Sequence, residues 1–464
     1  MRGFVSLNKS MIRSFSTSVA RRAAALQIFN DALKRADPYS SVFSFLNSDQ
    51  CVIDGKHARD YSKVVVVGAG KGALPMVQAS QHFFNDKIID GQVVTKYTYS
   101  KGATFPHIML TEAAYPVPDQ NSVIGSKKII EKVSHLGKDT LVLSLLSGGG
   151  SSLLCYPADP LTLSDIQNTT KMLYESGADI KEINSVRKHL SDIKGGRLSC
   201  AAYPAPIISL LISDVKDDDE SSIASGPTSP DKTTYYDCYN ILTKYNIWTT
   251  IPERVQDRIC EGIKGLIEET PKFNNKCFRH NLIKIIGNND QSLEAAGIRA
   301  KSLGYTPLTL YDGLEGEAHE MGAKLIQLAK QIQCGQHPLS PPVAIIVGGE
   351  TTVNIGRIYG MGGRNQELAL KAALDLRNER NITLLSSSTD GQDGMNDACG
   401  AVVDEFTIKQ GEDKNLVAEQ YFINKDSYNY FKELPDNHLI TGPTGTNVMD
   451  VAVVIVDKFE EPNM

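Results

Sequence analysis

Short apolar runs recur along this 464-residue chain, each too brief for a helix of the interior. They are Val64–Val67, Leu141–Leu146, Ile207–Ile212, Ile283–Ile286, Thr306–Leu310, Val343–Val347, Ile382–Leu385 and Val451–Val456. Continuous runs of this kind, rich in Val, Ile and Leu, read as strands buried on both faces. Segments of helical period lie between them. In NSVIGSKKIIEKVSHL, Ile129, Val133 and Leu136 fall at i, i+4 and i+7. The alternation predicts an α/β fold with mainly parallel sheets. Ligands of such folds bind beyond the carboxyl ends of strands, and the glycine-rich motifs of this chain fall there. A polar stretch with Pro271, Glu268 to Asn281, separates two α/β halves. The expected domains are therefore residues 23–275 and 276–464.

The net charge of −6 argues against nucleic acid or an anionic membrane as partner. No apolar run approaches the roughly 18 residues of a membrane span, so stable membrane association is not expected. The eight cysteines are scattered without a CxxC, Cys260 and Cys277 being nearest in sequence, which predicts free thiols rather than a metal or dithiol site. The first thirty residues are different in kind. They carry Arg2, Lys9, Arg13, Arg21 and Arg22, many serines, and no acid before Asp31. That composition predicts a mitochondrial transit peptide over residues 1–22, outside the fold, and a matrix location, with the cytoplasm as the alternative. The oligomeric state is not legible.

The motifs are chiefly anion-binding. In VVVVGAGKGA, Gly68 and Gly70 permit a tight strand-to-helix turn with amides facing a ligand, and Lys71 adds a point charge. The same letters fit GxGxxA, so a dinucleotide site is a rival reading. That rival needs an acid at the end of the next strand, where QVVTKYTYS places Lys96. In LSLLSGGGSSLL, Ser147, Gly148, Gly149, Gly150 and Ser151 form a candidate nest for phosphate or carboxylate. In NSVRKHLSDIKGGRL, a continuous helix would put Arg187 and Lys194 on one face, able to hold a small carboxylate. Asp214 directly follows a buried strand, where a metal ligand or base would sit. Glu350 follows another strand, and Arg364 follows GMGG, ahead of Asn365 and Gln366 at a helix start. An arginine on a glycine loop suits charge stabilisation during phosphoryl transfer. Asp390 opens an acidic loop, STDGQDG, whose spacing is wrong for an EF-hand but open to magnesium or a hydroxyl. Asp214 and Asp390 are the candidate metal ligands. TGPTGTNVMD adds a polar glycine loop with Thr446 and Asn447. No H-E-x-x-H, G-x-S-x-G or kinase H-R-D set is present. Lysine, arginine, nests and carboxylates together suit phosphoryl transfer better than hydride transfer or hydrolysis.

Taken together, GAGKGA, YPVPD, SGGGSSLL, INSVRKHLSDIKGGRL, SSIASGPTSPD, GGETTVNIG, GMGGRNQELAL, STDGQDG, DACGAVVD and TGPTGTNV resemble the glycerate kinases of the MOFRL type, also called glycerate 2-kinases. The resemblance runs over roughly residues 22–458. It implies two Rossmann-like domains with an active-site cleft between them, and ATP-dependent phosphorylation of D-glycerate with Mg2+ or another divalent cation. O2 is the favoured position, within serine, glycerate or fructose catabolism. It implies Lys71, Asp214 and Arg364 as active-site residues. Departures from the family pattern fall at Lys216-Asp217, His319, Met395-Asn396 and Met449. The alternative is a non-catalytic nucleotide- or sugar-acid-binding protein derived from such a kinase.

Overall fold

The computed structural model describes residues 9–356 and 360–458. The chain divides into two compact units, one of residues 37–288 with 445–447, the other of residues 1–36, 289–444 and 448–464. Every strand expected from the sequence is present, most of them one to four residues longer.

The first unit carries a small hairpin, β1 (Val52–Ile53) and β2 (Lys56–His57), and a six-stranded sheet. The sheet comprises β3 (Lys63–Ala69), β4 (Ile88–Lys96), β5 (Ile108–Ala113), β6 (Thr140–Leu146), β7 (Ile207–Ile212) and β8 (Asn281–Gly287), in the order β5-β4-β3-β6-β7-β8. All five pairings are parallel. Every residue of β6 and β7 is buried, as continuous apolar strands covered on both faces require. The chain winds outward from β3 to β5, then returns to β6 on the other side of β3. The strand order therefore reverses between β3 and β6, and the crevice at their carboxyl ends is where doubly wound sheets take ligands. The helix Gln120–Val133 begins at a capping box of Asp119 and Ser122 and buries Ile129 and Val133 against the sheet.

The second unit holds β9 (Thr306–Leu314), β10 (Val343–Gly349), β11 (Ile382–Ser388), β12 (Gly400–Asp404), β13 (His438–Leu439) and β14 (Asp450–Val456), in the order β13-β12-β11-β14-β10-β9. Only β9 and β10 pair in parallel; the other four pairings are antiparallel. The fold is α/β as expected, with a parallel first sheet and a mixed second one.

The unit boundaries differ from the expected ones. The polar stretch near 275 leads into β8, which pairs with β7 from Ile207 to Asn281, so the break falls at 288 instead. The helix Lys9–Arg35 belongs to the second unit, burying Ala25, Ile28, Phe29 and Ala32 against Leu293, Ala296, Ile346 and Val453. Arg21, fully buried, donates from Nη2 to both carboxylate oxygens of Glu405 at 2.8 Å and from Nε to Thr383 Oγ1 at 3.1 Å. Arg22 Nε reaches Asp404 at 2.5 Å, and Ser18 bonds the same carboxylate. Residues 18–22 are thus tied to the second sheet, whereas 1–8 of the expected leader lie outside the described residues. The expectation of free thiols is also corrected. Cys200 and Cys277, 77 residues apart, form a disulfide with Cα atoms 4.9 Å apart. The helix Arg197–Ala202 lies beside the entry to β8, where Asn281 donates to Ser199 at 2.8 Å. Among the other described cysteines, Cys51, Cys155, Cys238 and Cys399 are buried.

Candidate active site

In the first unit, two switch-point segments are tied to each other by main-chain and hydroxyl hydrogen bonds. Ser147 N–H donates to Ala69 O at 3.1 Å and Lys71 N–H to Gly148 O at 2.9 Å. Gly72 N–H donates to Ser147 Oγ at 3.0 Å. The turn after β3 is therefore locked to the turn after β6. Gly70 has φ 139°, a conformation open to glycine, and a side chain there would strike Ser147. Gly149 takes the left-handed conformation, φ 84°, and opens the short helix Gly150–Leu153. A Cβ built on Gly149 would lie 3.3 Å from the Tyr115 ring and 3.6 Å from Lys71 Cγ, so both side chains pack beside this turn. Gly68 lies inside β3 against the backbone of β6, so its role is close strand packing.

Lys71 is buried, with Nζ 4.7 Å from the centroid of the Tyr115 ring. Ser151 Oγ receives a hydrogen bond from Ser225 at 3.0 Å. Asp214, two residues beyond β7, accepts from Asn447 Nδ2 at 3.1 Å. A Cβ on Gly148 would lie 2.5 Å from the Asp214 carboxylate and 2.6 Å from the Asn447 amide, so the glycine makes room for that pair. Thr446 is buried beside Asn447 in the same loop. The loop of residues 445–447 thus adds an amide to the first unit from a point far along the chain.

The expected pairing of Arg187 and Lys194 on one helical face is not found. The helix Ile180–His189 ends at its cap, Leu190, before Lys194 is reached. Arg187 turns to the Tyr174 ring and hydroxyl. Lys194 is buried, and its Nζ donates to Ser151 O at 2.8 Å and to Leu154 O. It braces the short helix that follows the glycine nest. Desolvation pulls its pKa down to about 7.

In the second unit, Arg364 begins the helix Arg364–Leu376. Its Nε and Nη2 donate to the two oxygens of Asp450 at 2.5 and 3.0 Å, and Nη1 to Glu350 at 2.7 Å. Burial opposes its charge, but Asp450 and then Glu350 outweigh burial and hold the guanidinium well above its ordinary range. Asp450, at the start of β14, was not singled out by sequence reasoning. Neither was Asp393, which accepts from the Asn365 and Gln366 amides at 3.1 and 2.9 Å. Gly363 offers the helix no capping side chain, and Asp393 supplies the cap from another loop. Burial, and then the nearby Asp450 charge, push its pKa up to about 6. Asn365 and Gln366, expected to touch a ligand, instead face inward: Asn365 accepts from Ser386 at 2.6 Å and Gln366 Nε2 holds Asp393 at 3.0 Å. Asp390 closes its own turn, accepting from Ser388 Oγ and Gln392 N–H at 2.8 and 2.9 Å. Among the described residues no three His, Cys, Asp or Glu side chains are gathered as a metal ion would need.

A doubly wound sheet with interlocked glycine turns, a lysine and a strand-end carboxylate at its switch point defines an α/β protein of the phosphate-handling class. Its sequence matches a domain of unknown function, DUF4147, over residues 24–260 and the MOFRL family over residues 343–450. It is 38% identical to the glycerate 2-kinase of Pyrococcus horikoshii over 94% of this chain and 97% of that one. It is 40% identical to the D-glycerate 2-kinase of Thermotoga maritima over 88% and 94%. A relative from Agrobacterium vitis, 39% identical over 94% and 95%, is provisionally named a hydroxypyruvate reductase. The crystal structure of a glycerate kinase from Thermotoga maritima superposes with a TM-score of 0.83 at 37% identity, covering 94% of this chain and all of that one. The chain belongs to the MOFRL-type glycerate kinase family.

Proposed function

We propose that this protein transfers the γ-phosphoryl group of ATP to the O2 hydroxyl of D-glycerate, giving 2-phosphoglycerate and ADP. The observation that carries the reading is the switch-point turn, in which Lys71 and the left-handed Gly149 are held together by the bond from Lys71 N–H to Gly148 O. In this reading the nest of residues 147–151 and Lys71 take phosphate oxygens, and Lys71 offsets charge as the phosphoryl group moves. Asp214 accepts the hydroxyl proton as the glycerate oxygen bonds to phosphorus and the bond from phosphorus to the β–γ bridging oxygen breaks. Arg364, which the family resemblance implies as an active-site residue, is held within the second unit by Asp450 and Glu350. A divalent cation fits this donor set: Mg2+ keeps several waters and binds through one or two carboxylates plus phosphate oxygens, so it needs no three-ligand cage. Asp214 is its candidate ligand. The product would enter the breakdown of serine, glycerate or fructose.

Reduction of hydroxypyruvate is the second reading, favoured by the name of the Agrobacterium relative. Against it, the residue ending β4 is Lys96, where a dinucleotide fold places the ribose-binding acid. One pair of assays separates them. D-glycerate-dependent ADP release is expected, with no oxidation of NADH or NADPH by hydroxypyruvate. The opposite result would overturn the kinase reading, and ligand binding without either turnover would support a non-catalytic protein. We further propose a mitochondrial matrix location, set by the basic start of the chain. Residues 1–30 fused to a reporter should carry it there; a cytosolic reporter would contradict this.

A further inference from the structure

Lys194 is 4% exposed, and among the described residues no carboxylate pairs with it. Its Nζ donates instead to Ser151 O at 2.8 Å and to Leu154 O. These carbonyls belong to the helix Gly150–Leu153 and the residue that follows it, where a helix end leaves carbonyls without intrahelical partners. Ser151 is also the last residue of the glycine nest. The loop that carries Lys194 is fixed on its own account. Its amide donates to Ser191 Oγ at 3.4 Å, and the left-handed Gly195 and Gly196 donate to Ser225 O at 3.1 Å and Gly226 O at 2.8 Å. Ser225 Oγ lies 3.0 Å from Ser151 Oγ and 3.1 Å from Asn184 Oδ1. Ala224 and Ser225 both take left-handed backbone, φ 51° and 58°, which such residues keep only where their surroundings impose it. A Cβ on Gly150 would lie 2.6 Å from Ala224 Cβ, so this strained segment packs closely against the nest.

Burying an ammonium group among neutral partners is costly, and an apolar side chain of similar volume would avoid the cost. A site for anions gives the charge a use, because an anion held by neighbouring amides favours the charged form. We propose that Lys194 is a positioning residue of the nucleotide site: through the Ser151 carbonyl its ammonium group sets the nest of residues 147–151, and its charge is coupled to the binding of a phosphate there. This rests on the kinase reading, which puts phosphate oxygens on the nest. Desolvation brings the Lys194 pKa down to about 7, so ammonium and amine coexist near neutrality. The groups that face it do not change charge in that range. Burial pushes the Cys155 thiol up to about 11, Arg187 carries a fixed charge, and Lys188, on the same helix as Arg187, is paired with Asp231 at 3.4 Å.

The test is calorimetric titration of the full chain with ADP and Mg2+ at pH 6, 7.5 and 9, for wild type, Lys194→Met and Lys194→Arg. If a bound phosphate raises the Lys194 pKa from about 7 to about 8, the ammonium form binds about tenfold more tightly than the amine. About half a proton is then taken up at pH 7.5, read by comparing buffers of different ionisation enthalpy. Lys194→Met should bind ADP about tenfold more weakly than wild type at pH 6 and nearly as well at pH 9, and should take up about half a proton less at pH 7.5. Lys194→Arg, whose charge is permanent, should bind tightly up to pH 9 and lack the same proton. A gap between wild type and Lys194→Met that is equal at pH 6 and pH 9 would make Lys194 a structural brace and overturn the proposal. Equal proton uptake in wild type and the variants would overturn it too. If Lys194→Met does not fold, wild type against Lys194→Arg decides by the same proton count. Turnover of D-glycerate without this linkage overturns the proposal alone, the linkage without turnover overturns the kinase reading alone, and no binding of ADP at any pH overturns both.

Discussion

Lys71 and Lys194 both meet the segment that follows β6 and are put to different uses. Lys71 is pinned through its own amide and presents its ammonium group to an aromatic face, whereas Lys194 spends its ammonium on two main-chain carbonyls. Lys71→Ala should lower kcat by about 10²–10³, the usual cost of one preorganised charge at a developing anion. Its melting temperature should stay near that of wild type, because the nest is held by main-chain bonds; near-normal kcat would remove Lys71 from the chemistry. Arg364 differs again. Its fork neutralises Asp450, which is 1% exposed, so removal strands a buried carboxylate. Arg364→Ala should cost about 3 kcal/mol of stability in urea unfolding, in addition to any loss of kcat. Arg364→Lys should recover little, since lysine lacks the planar fork. The arginine was legible in the sequence from its glycine loop, but its partners were not. Asp450 lies 86 residues away and reads simply as the start of a strand.

The helix Lys9–Arg35 carries the clearest conflict between composition and packing at the scale of elements. Its basic, acid-free start resembles an import signal, yet Arg21 and Arg22 meet Glu405 and Asp404, which are almost wholly buried. A chain beginning at Ala23 leaves both carboxylates without those partners. It should lose about 3 kcal/mol or more relative to a chain beginning at Thr17, measured by denaturant unfolding; equal stability would mean the pairs contribute nothing. A second element-level test concerns the helix Ile180–His189, which meets the segment before β8 through His189 Nε2 and Glu269, 2.7 Å apart. Burial alone would raise the Glu269 pKa, but His189 and the Thr270 and Tyr235 amides outweigh it and hold the carboxyl down at about 2. A depressed carboxyl stabilises the fold above its unfolded value of 4.5 and stops doing so as pH falls toward 2. The stability gap between wild type and Glu269→Gln should therefore be full at pH 6 and fade between pH 4.5 and about 2. A gap independent of pH would contradict this assignment. Helix limits explain the misplaced Lys194: the basic pattern runs on smoothly in sequence, but the helix stops at Leu190.

For the molecule as a whole, the apolar runs disclosed the α/β class because buried strands have few other compositions. They did not disclose the hand of pairing in the second sheet, since β14 inserts between β10 and β11 from the far end of the chain. The unit boundary was obscured for a related reason, because the polar stretch before β8 reads as a linker while β8 itself completes the first sheet. The charge inventory is likewise divided, with Lys71 and Asp214 in the first unit and Glu350, Arg364 and Asp450 in the second. The phosphoryl transfer itself is open to 31P NMR of the full-length protein with ATP, a divalent cation and D-glycerate. Equimolar ADP and 2-phosphoglycerate are expected, abolished when D-glycerate is omitted and slowed by at least about 10² in Lys71→Ala; an ATP spectrum that D-glycerate leaves unchanged would rule the transfer out.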